Sequence, residues 1–435
     1  VGVAASGPAH ALDSDIRLSS IGYLPDRAKV ASVVVDAGGL AGTEFVVRPA
    51  AGGAPVLRSK LTAARKDADT GQSVKLADFS AVTDEGSYVL EVPGVGQTLP
   101  FRIAKDAYKR SYTLAMLGFY GWRAGTDVSL TVDGITWKHA AGHPDDAYLD
   151  YLGQPGKKRD ATGGWYDAGD YGKYVVNAAM SVGNLLFAWE HFKPTLSAVP
   201  LPIPEQGGDL PDFLDELKWE TDWLLKMQYP EDGRVSHKIS SLGFGGFVLP
   251  EKDTAKRFFV PSGTNAVASF VATLAKAARA FEPYDAAYAK RCLDAAKRSY
   301  AWLRAHPKSE AAEQTAFTTG RYDTADGDDR LWAAAEMFES TGDSEALQDF
   351  EARAGALREL VEANFDWDHV QNLGVFTYLA SERTGRNPDL VQKFETALVA
   401  RADAVVKIGI GAPDDLQGPL PHHPACGSAP GGSKS

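Results

Sequence analysis

The apolar period of this chain changes once, near Asp106, and that change restricts it to a two-part fold. Ahead of it, residues 15–104 carry short runs rich in β-branched and aromatic residues: IRLSSIGYLP, KVASVVVD, TEFVVRP, SYVLEVPG and LPFRIA. Stretches with turn chemistry, AGGLAG, DADTG and TDEG, separate them. This pattern predicts a small β-sandwich. Beyond Asp106 the apolar residues recur at helical spacing. The segments beginning DAYKRSYTL, YVVNAAMS, DLPDFLDE, TNAVASFV, YDAAYAKR, DDRLWAAA, EALQDFEA, VQNLGVFT and PDLVQKFE each predict a helix. Long Gly/Pro-containing loops, 123–172 and 229–263, join them on alternate sides, and no fixed-length repeat is visible. Helix pairs joined this way predict an α/α toroid with function carried on loops at one face. The expected division is therefore a tail at 1–14, a sandwich at 15–104, a helical domain at 105–410 and a disordered Pro/Gly/Ser-rich tail at 411–435.

Composition narrows the partners. A net charge of −12 argues against nucleic acid and against anionic membranes, and no run of about 18 apolar residues is present to span a bilayer. Nine Trp and sixteen Tyr exceed what packing alone requires, and flat aromatic faces stack on sugar rings. At the N-terminus Ala9-His10-Ala11 fits a small-x-small cleavage site behind an apolar remnant, so a mature chain starting near Leu12 and a secreted or periplasmic location are expected. Cys292 lies in a helical pattern and Cys426 in the tail, and no structural disulfide is expected.

The densest cluster of chemistry-bearing residues is GGWYDAGDYGKY, Gly163–Tyr174. Asp167 and Asp170 stand three apart at a loop-to-helix junction, a spacing that can aim both carboxyls at one small volume, with Gly169 leaving room beside them. Helix N-terminal N–H groups would hold both as carboxylates. That suits a base that activates water and works against an acid that must keep its proton, so the pair would share one role. The alternative is that one of them caps the helix.

The segment GGWYDAGDYGKYVVNAAMSVGNLLFAWE closely resembles the signature of glycoside hydrolase family 9. IRLSSIGYLPDRAKVASVV resembles the opening strands of the immunoglobulin-like domain that precedes the catalytic domain in one branch. GRVSHKIS, VLPEKDTAKRFFVPSGTNAVASFVATLAKAAR, DGDDRLWAAAEMF and FDWDHVQNLGVFTYL follow in the family's order, so the resemblance covers roughly residues 15–410. It implies an (α/α)6 toroid behind an immunoglobulin-like sandwich, and inverting endo-hydrolysis of β-1,4-glucans such as cellulose by a monomer. It also implies that Asp170 is the general base, that Asp167 helps hold the attacking water and that His237 lines the substrate cleft. Tyr166 and Trp165 flank the acids as substrate aromatics or as packing, with packing favoured for Trp165. Asp328, Asp329 and Asp368, with Asp326 as a further ligand, fall where many members bind a structural calcium; the alternative is an acidic helix start stabilised by its dipole.

Two departures stand out. Ala124 and Gly142 occupy positions where the resemblance would place zinc-binding cysteines, and His139 with His143 alone makes a poor site, so no zinc is expected. The family's catalytic acid, a Glu in its last helical region, has no counterpart, and PHHP at 421–424 lacks the helix that would make it a match. The expectation is a toroid incomplete at its C-terminal side, with impaired turnover. Two other readings stay open: an exo-β-glucosaminidase acting on chitosan oligosaccharides, and a degenerate glucan-binding protein without catalysis.

Overall fold

A computed structural model describes residues 15–35, 43–67, 70–144 and 147–410. The leader with Ala9-His10-Ala11, the tail from 411 on, Cys426 and the PHHP segment lie outside the described residues. Two compact units emerge: one takes residues up to Tyr112 together with those from Ala400 on, the other Thr113–Val399.

The first unit is a β-sandwich. One sheet runs β1 (Ile16–Arg17), β2 (Val30–Val35), β6 (Ser73–Asp78), β5 (Arg65–Lys66). The other runs β4 (Leu57–Lys60), β3 (Glu44–Pro49), β7 (Gly86–Val92), β8 (Gly96–Gln97), with β9 (Phe101–Ile103) also paired to β7. Alternate residues of each strand, Ala31 and Val33, Phe45 and Val47, Tyr88, Leu90 and Val92, Phe101 and Ile103, fill the core between the sheets. Edge-to-face rings of Tyr23, Phe79 and Phe101 close it. Strands β4, β5, β6 and β8 are absent from the sequence reading, because LRSK and SVKLAD alternate polar with apolar residues weakly and carry no aromatic.

Nine α-helices follow among the described residues. They are α1 (Lys109–Gly121), α2 (Val175–Leu196), α3 (Asp212–Met227), α4 (Thr264–Phe281), α5 (Ala286–Ala305), α6 (Gly327–Thr341), α7 (Ser344–Ala354), α8 (Gln371–Ala380) and α9 (Pro388–Ile410). Every second helix is an inner one: α4 packs on α2 and α6, α6 on α8, and α2 touches α8. The helices between them, α3, α5 and α7, form an outer layer against these. The sequence states this order. α4 reads NAVASFVATLAKAARAF and is buried on every side but Arg279, its small and apolar residues packing and its buried Lys276 held by carboxylates. Close approach at the centre needs glycine, since a Cβ on Gly374 would sit 2.8 Å from the Trp332 Cα, and one on Gly183 2.6 Å from the Trp332 ring. α7 stops at Ala354 before Gly355, although the helical pattern of the sequence runs on to Phe365.

Inside this layer lies a polar knot. Glu336 is fully buried and accepts from Lys276 at 3.2 Å, Arg279 at 2.6 Å, the Trp332 indole at 3.0 Å and the Thr377 hydroxyl at 2.7 Å. Glu190 closes it, with Lys276 at 2.5 Å and Arg279 at 2.9 Å. No helix among the described residues is long and apolar enough to cross a membrane.

The long Gly/Pro-containing loops carry structure of their own. Residues 123–172 contain a hairpin, β10 (Val128–Val132) with β11 (Ile135–His139), turning at Asp133 and Gly134 with φ of +52° and +79°. Asp-Gly between apolar runs is the strongest short-range hairpin signal, and it was there to be read. A five-stranded sheet then gathers distant loops in the order β13 (Lys158–Arg159), β12 (Ala147–Tyr148), β16 (Phe258–Phe259), β15 (Lys238–Ser240), β14 (Lys173–Tyr174).

Candidate active site

Strand β14 leads directly into α2, and the six residues before it fold into a tight turn closed by the Asp167 N–H donating to the Gly172 carbonyl at 2.9 Å. At its tip the Tyr171 N–H bonds to the Ala168 carbonyl at 3.0 Å, with Tyr171 in the left-handed region at φ +56°. The turn presents Asp167 and Asp170 together, both partly exposed. A Cβ on Gly169 would meet nothing within 4 Å, so the space beside the pair is open.

The donors to these carboxylates differ from those the sequence suggested. α2 begins at Val175 with Tyr174 at its N-cap, and no side chain caps it. Neither aspartate therefore sits on the helix N-terminus, and the helix N–H groups do not hold the pair. Phenols do so instead. The Tyr174 hydroxyl donates to Asp170 at 2.6 Å, and the Tyr322 hydroxyl donates to Asp167 at 2.8 Å. The Asn177 amide also donates to Asp167, and the Gly172 N–H reaches Asp170 at 3.3 Å. Burial holds the Asp167 carboxyl above the usual range; Tyr322 and Asn177 pull it down, and the charge of Asp170 pushes it up. The Tyr174 and Tyr322 rings meet edge-on at 4.8 Å, and Trp367 meets Tyr322 at 4.9 Å. Sequence reasoning missed Tyr174, Tyr322 and Asn177. Tyr174 and Asn177 lie within the family-like segment, but nothing in the sequence ties Tyr322 to Asp167, which lies 155 residues earlier.

Replacing Tyr322 by Phe removes a donor that favours the charged form of Asp167, so the carboxyl climbs further. A carboxylate that ionises at higher pH moves the acid limb of the rate profile upward. Measurement of kcat/KM against pH for Tyr322→Phe is expected to show that limb displaced to higher pH with the alkaline side little changed; an unmoved limb would remove Tyr322 from the site.

The flanking aromatics pack. Trp165 is 7% exposed, its indole donates to Glu216 at 2.8 Å and its N–H to Glu220 at 2.5 Å, and Phe119 lies against it at 4.7 Å. Tyr166 is 3% exposed and pairs with His143 Nδ1 at 2.7 Å. With Asp167, Asn177 and Glu220 these two line a cavity of about 140 Å³. Burial raises the Glu220 carboxyl to about 8. His237 is 1% exposed, and its Nε2 lies 2.6 Å from the Arg321 carbonyl, so in this structure it braces the segment that carries Tyr322. Its own carbonyl accepts from the Val175 N–H at 3.1 Å, joining β15 to the start of α2.

At the positions discussed for zinc, Ala124 is buried and a Cβ on Gly142 would lie 2.5 Å from Pro250. His139 faces the Gly121 carbonyl at 3.3 Å, and His143 faces Asp253 at 3.3 Å. Burial and the Arg257 charge push the His143 imidazole down to about 4. Cys292 is buried in α5, and burial pushes its thiol up to about 12.

The acidic helix start is a separate feature. Asp329 is 1% exposed with the Ser269 hydroxyl donating to it, and burial together with Asp328 and Asp326 holds its carboxyl well above the usual range. Asp328 accepts from the Val370 N–H at 2.9 Å and feels Asp368. Asp326 faces elsewhere, bound to Arg330 Nε at 2.7 Å, which removes it from the expected ligand set. Glu362, whose carboxyl feels Asp328, keeps a buried Oε2 without a partner. Among the described residues no three His, Cys, Asp or Glu side chains stand close enough to form a ready-made metal site.

With the geometry in view, comparison with known proteins is direct. The profile of the cellulase N-terminal ig-like domain matches residues 11–97, and that of glycosyl hydrolase family 9 matches residues 108–410. Endoglucanase D of Acetivibrio thermocellus is 50% identical over 397 residues, which is 91% of this chain and 62% of that protein. A xyloglucan-specific endo-beta-1,4-glucanase of Bacteroides ovatus is 34% identical, over 90% of this chain and 68% of its own. Among solved structures, a Bacteroides ovatus family 9 protein superposes with a TM-score of 0.83 at 32% identity, covering 92% of this chain and 75% of that one. The chain thus spans 62% of the length of Endoglucanase D. The alternation of inner and outer helices is that of the (α/α)6 toroid, and with its immunoglobulin-like sandwich the chain belongs to glycosyl hydrolase family 9.

Proposed function

We propose that the chain is an inverting endo-β-1,4-glucanase acting on cellulose or a related β-glucan outside the cell, with Asp170 as general base and Asp167 as its partner on the attacking water. One observation carries this: two carboxylates on one turn, each held by a phenol, beside open space at Gly169. Inversion needs a carboxylate that takes a proton from water on the face of the sugar away from the leaving group. Two carboxylates can share one water between them. At Asp167 the Tyr322 phenol and the Asn177 amide favour the charged form against its burial.

Protonation of the leaving oxygen is the other half of the reaction. Among the described residues, the groups that hydrogen-bond to the pair are phenols, an amide and a backbone N–H, and an inverting enzyme keeps its acid about 6.5–9.5 Å from its base, outside such contacts. A substrate whose leaving group needs no proton separates the two halves. β-Cellobiosyl fluoride is expected to be hydrolysed with inversion, and amorphous cellulose to yield a mixture of cello-oligomers. Retention of configuration in the fluoride reaction refutes Asp170 as a general base. Release of glucosamine alone from chitosan oligosaccharides, with no cello-oligomers from cellulose, replaces the substrate reading.

The acidic start of α6 fits a calcium ion in charge. Asp328, Asp329 and Asp368 are hard oxygen donors, the Glu362 oxygen without a hydrogen-bond partner adds a fourth, and the His369 imidazole offsets only Asp368 and Glu362. An ion there would offset their repulsion and tie α6 to the segment before α8, away from the chemistry. Added calcium is expected to raise the melting temperature and EDTA to reverse it, with both effects lost in Asp329→Asn. A melting temperature indifferent to calcium in the wild type removes the ion from the proposal.

A further inference from the structure

Between β15 and β16 the chain reads SLGFGGFVLP and leaves its apolar residues in the open. Leu242 is 42% exposed, Phe244 64%, Val248 42% and Leu249 54%, and Phe247 has no neighbour covering it at 110%. Single exposed apolar residues are ordinary, but five among the eight residues 242–249 make a patch of the kind that marks a binding surface. A Cβ on Gly245 or Gly246 would meet nothing within 4 Å, so the loop stands clear of the body.

Its two ends are tied to the two parts of the site. At one end the Leu242 carbonyl accepts from the Thr318 N–H at 2.8 Å, and the segment that Thr318 opens carries Tyr322, the donor to Asp167. At the other end the Tyr171 hydroxyl donates to the Val248 carbonyl, and Tyr171 follows Asp170 in the turn. Arg257 locks that end by donating to the Tyr171 carbonyl at 2.7 Å. Among the described residues, 244–247 make no hydrogen bond between these anchors. The loop that carries these two exposed rings is thus tied at one end to the segment of Tyr322 and at the other to Tyr171 of the catalytic turn.

From this we infer that Phe244 and Phe247 form an aromatic platform on which the glucan chain entering the site lays its pyranose rings, so that the 242–249 loop is a substrate-binding element. The inference rests on the β-glucan reading proposed above. The ring faces of β-linked glucose carry axial C–H groups and no hydroxyls, and an aromatic face is their natural cover. Loop and catalytic turn share the Tyr171–Val248 bond, so a chain seated on the platform lies next to the base rather than at a remote surface.

The test is titration of cellohexaose into the full chain carrying Asp170→Asn, which holds substrate without turnover, followed by calorimetry. Adding Phe244→Ala with Phe247→Ala is expected to weaken binding at least about tenfold, with the melting temperature unchanged, since both rings are exposed. Phe244→Trp with Phe247→Trp is expected to restore binding. Equal affinity for the Ala pair and its parent overturns the platform while leaving the glucan reading intact. No binding of cellohexaose by the parent overturns the glucan reading, and the platform with it. Concentration-dependent self-association that the Ala pair abolishes, with sugar affinity unchanged, assigns the rings to a second copy of the chain and also overturns the inference.

Discussion

Substitution of Asp170 by Asn is expected to lower the rate of β-cellobiosyl fluoride hydrolysis by about 10²–10⁴-fold, the usual contribution of a positioned general base. The amide is isosteric and its oxygen can still accept from Tyr174, now at 2.6 Å, so the turn should keep its shape and only the basic lone pair is lost. Asp167→Asn is expected to cost less if, as proposed, Asp167 orients the water and Asp170 takes its proton. A larger loss at Asp167 than at Asp170 would exchange their roles. Initial rates by fluoride release, with circular dichroism to confirm the fold, decide between the two assignments.

The second large effect is on stability. Glu336→Ala is expected to destabilise the helical unit by about 3–5 kcal/mol, as breaking a buried ion pair from one side does. The reason is what remains: Lys276 would keep only Glu190, and Arg279 would lose its 2.6 Å partner, while the Trp332 indole and Thr377 hydroxyl would lose their acceptor. Glu336→Gln keeps the shape and the neutral contacts, and should fall between. Burial alone would raise the Glu336 carboxyl, but Lys276 and Arg279 outweigh it and hold the group below its ordinary value. A carboxyl lowered on folding stabilises above its unfolded pKa, and that stability is lost as pH falls through the folded one. Urea melts at neutral pH and in acid should therefore show the wild-type advantage over Glu336→Gln shrinking in acid. A constant difference would mean that packing, not charge, makes the knot.

Helical periodicity made α4 legible to the residue, because its apolar residues recur at helical spacing from Ala266 to Phe281 with Lys276 and Arg279 set among them. It misplaced the end of α7, because LRELVEANF keeps the spacing after Gly355 has ended the helix. The same limit governs the site. GGWYDAGDYGKY is local, and the sequence placed both aspartates on one turn. Their donors were assigned to the nearest helix N-terminus on the principle that such N–H groups favour anions, whereas the turn stands clear of that terminus and two tyrosines reach in. Tyr322 could not be found by spacing, since only the fold brings residues 167 and 322 together. Likewise Asp326 looks like a ligand in the string DGDD until Arg330, one helical turn on, is seen to claim it.

The five-stranded sheet beneath the catalytic turn has a consequence for how the protein is made. Its strands are two or three residues long, and the pair that joins its halves, Tyr148 with Phe258, closes across most of the intervening chain. Local helices can form early, but long-range closures of this kind come late, after the loop entropy has been met by the surrounding layers. The site is then the last region to mature and the first to open. In hydrogen exchange, the amides of Tyr148, Lys238 and Tyr174 should open together, ahead of those in the centre of α4. Heating short of global unfolding should abolish activity while the helices still stand.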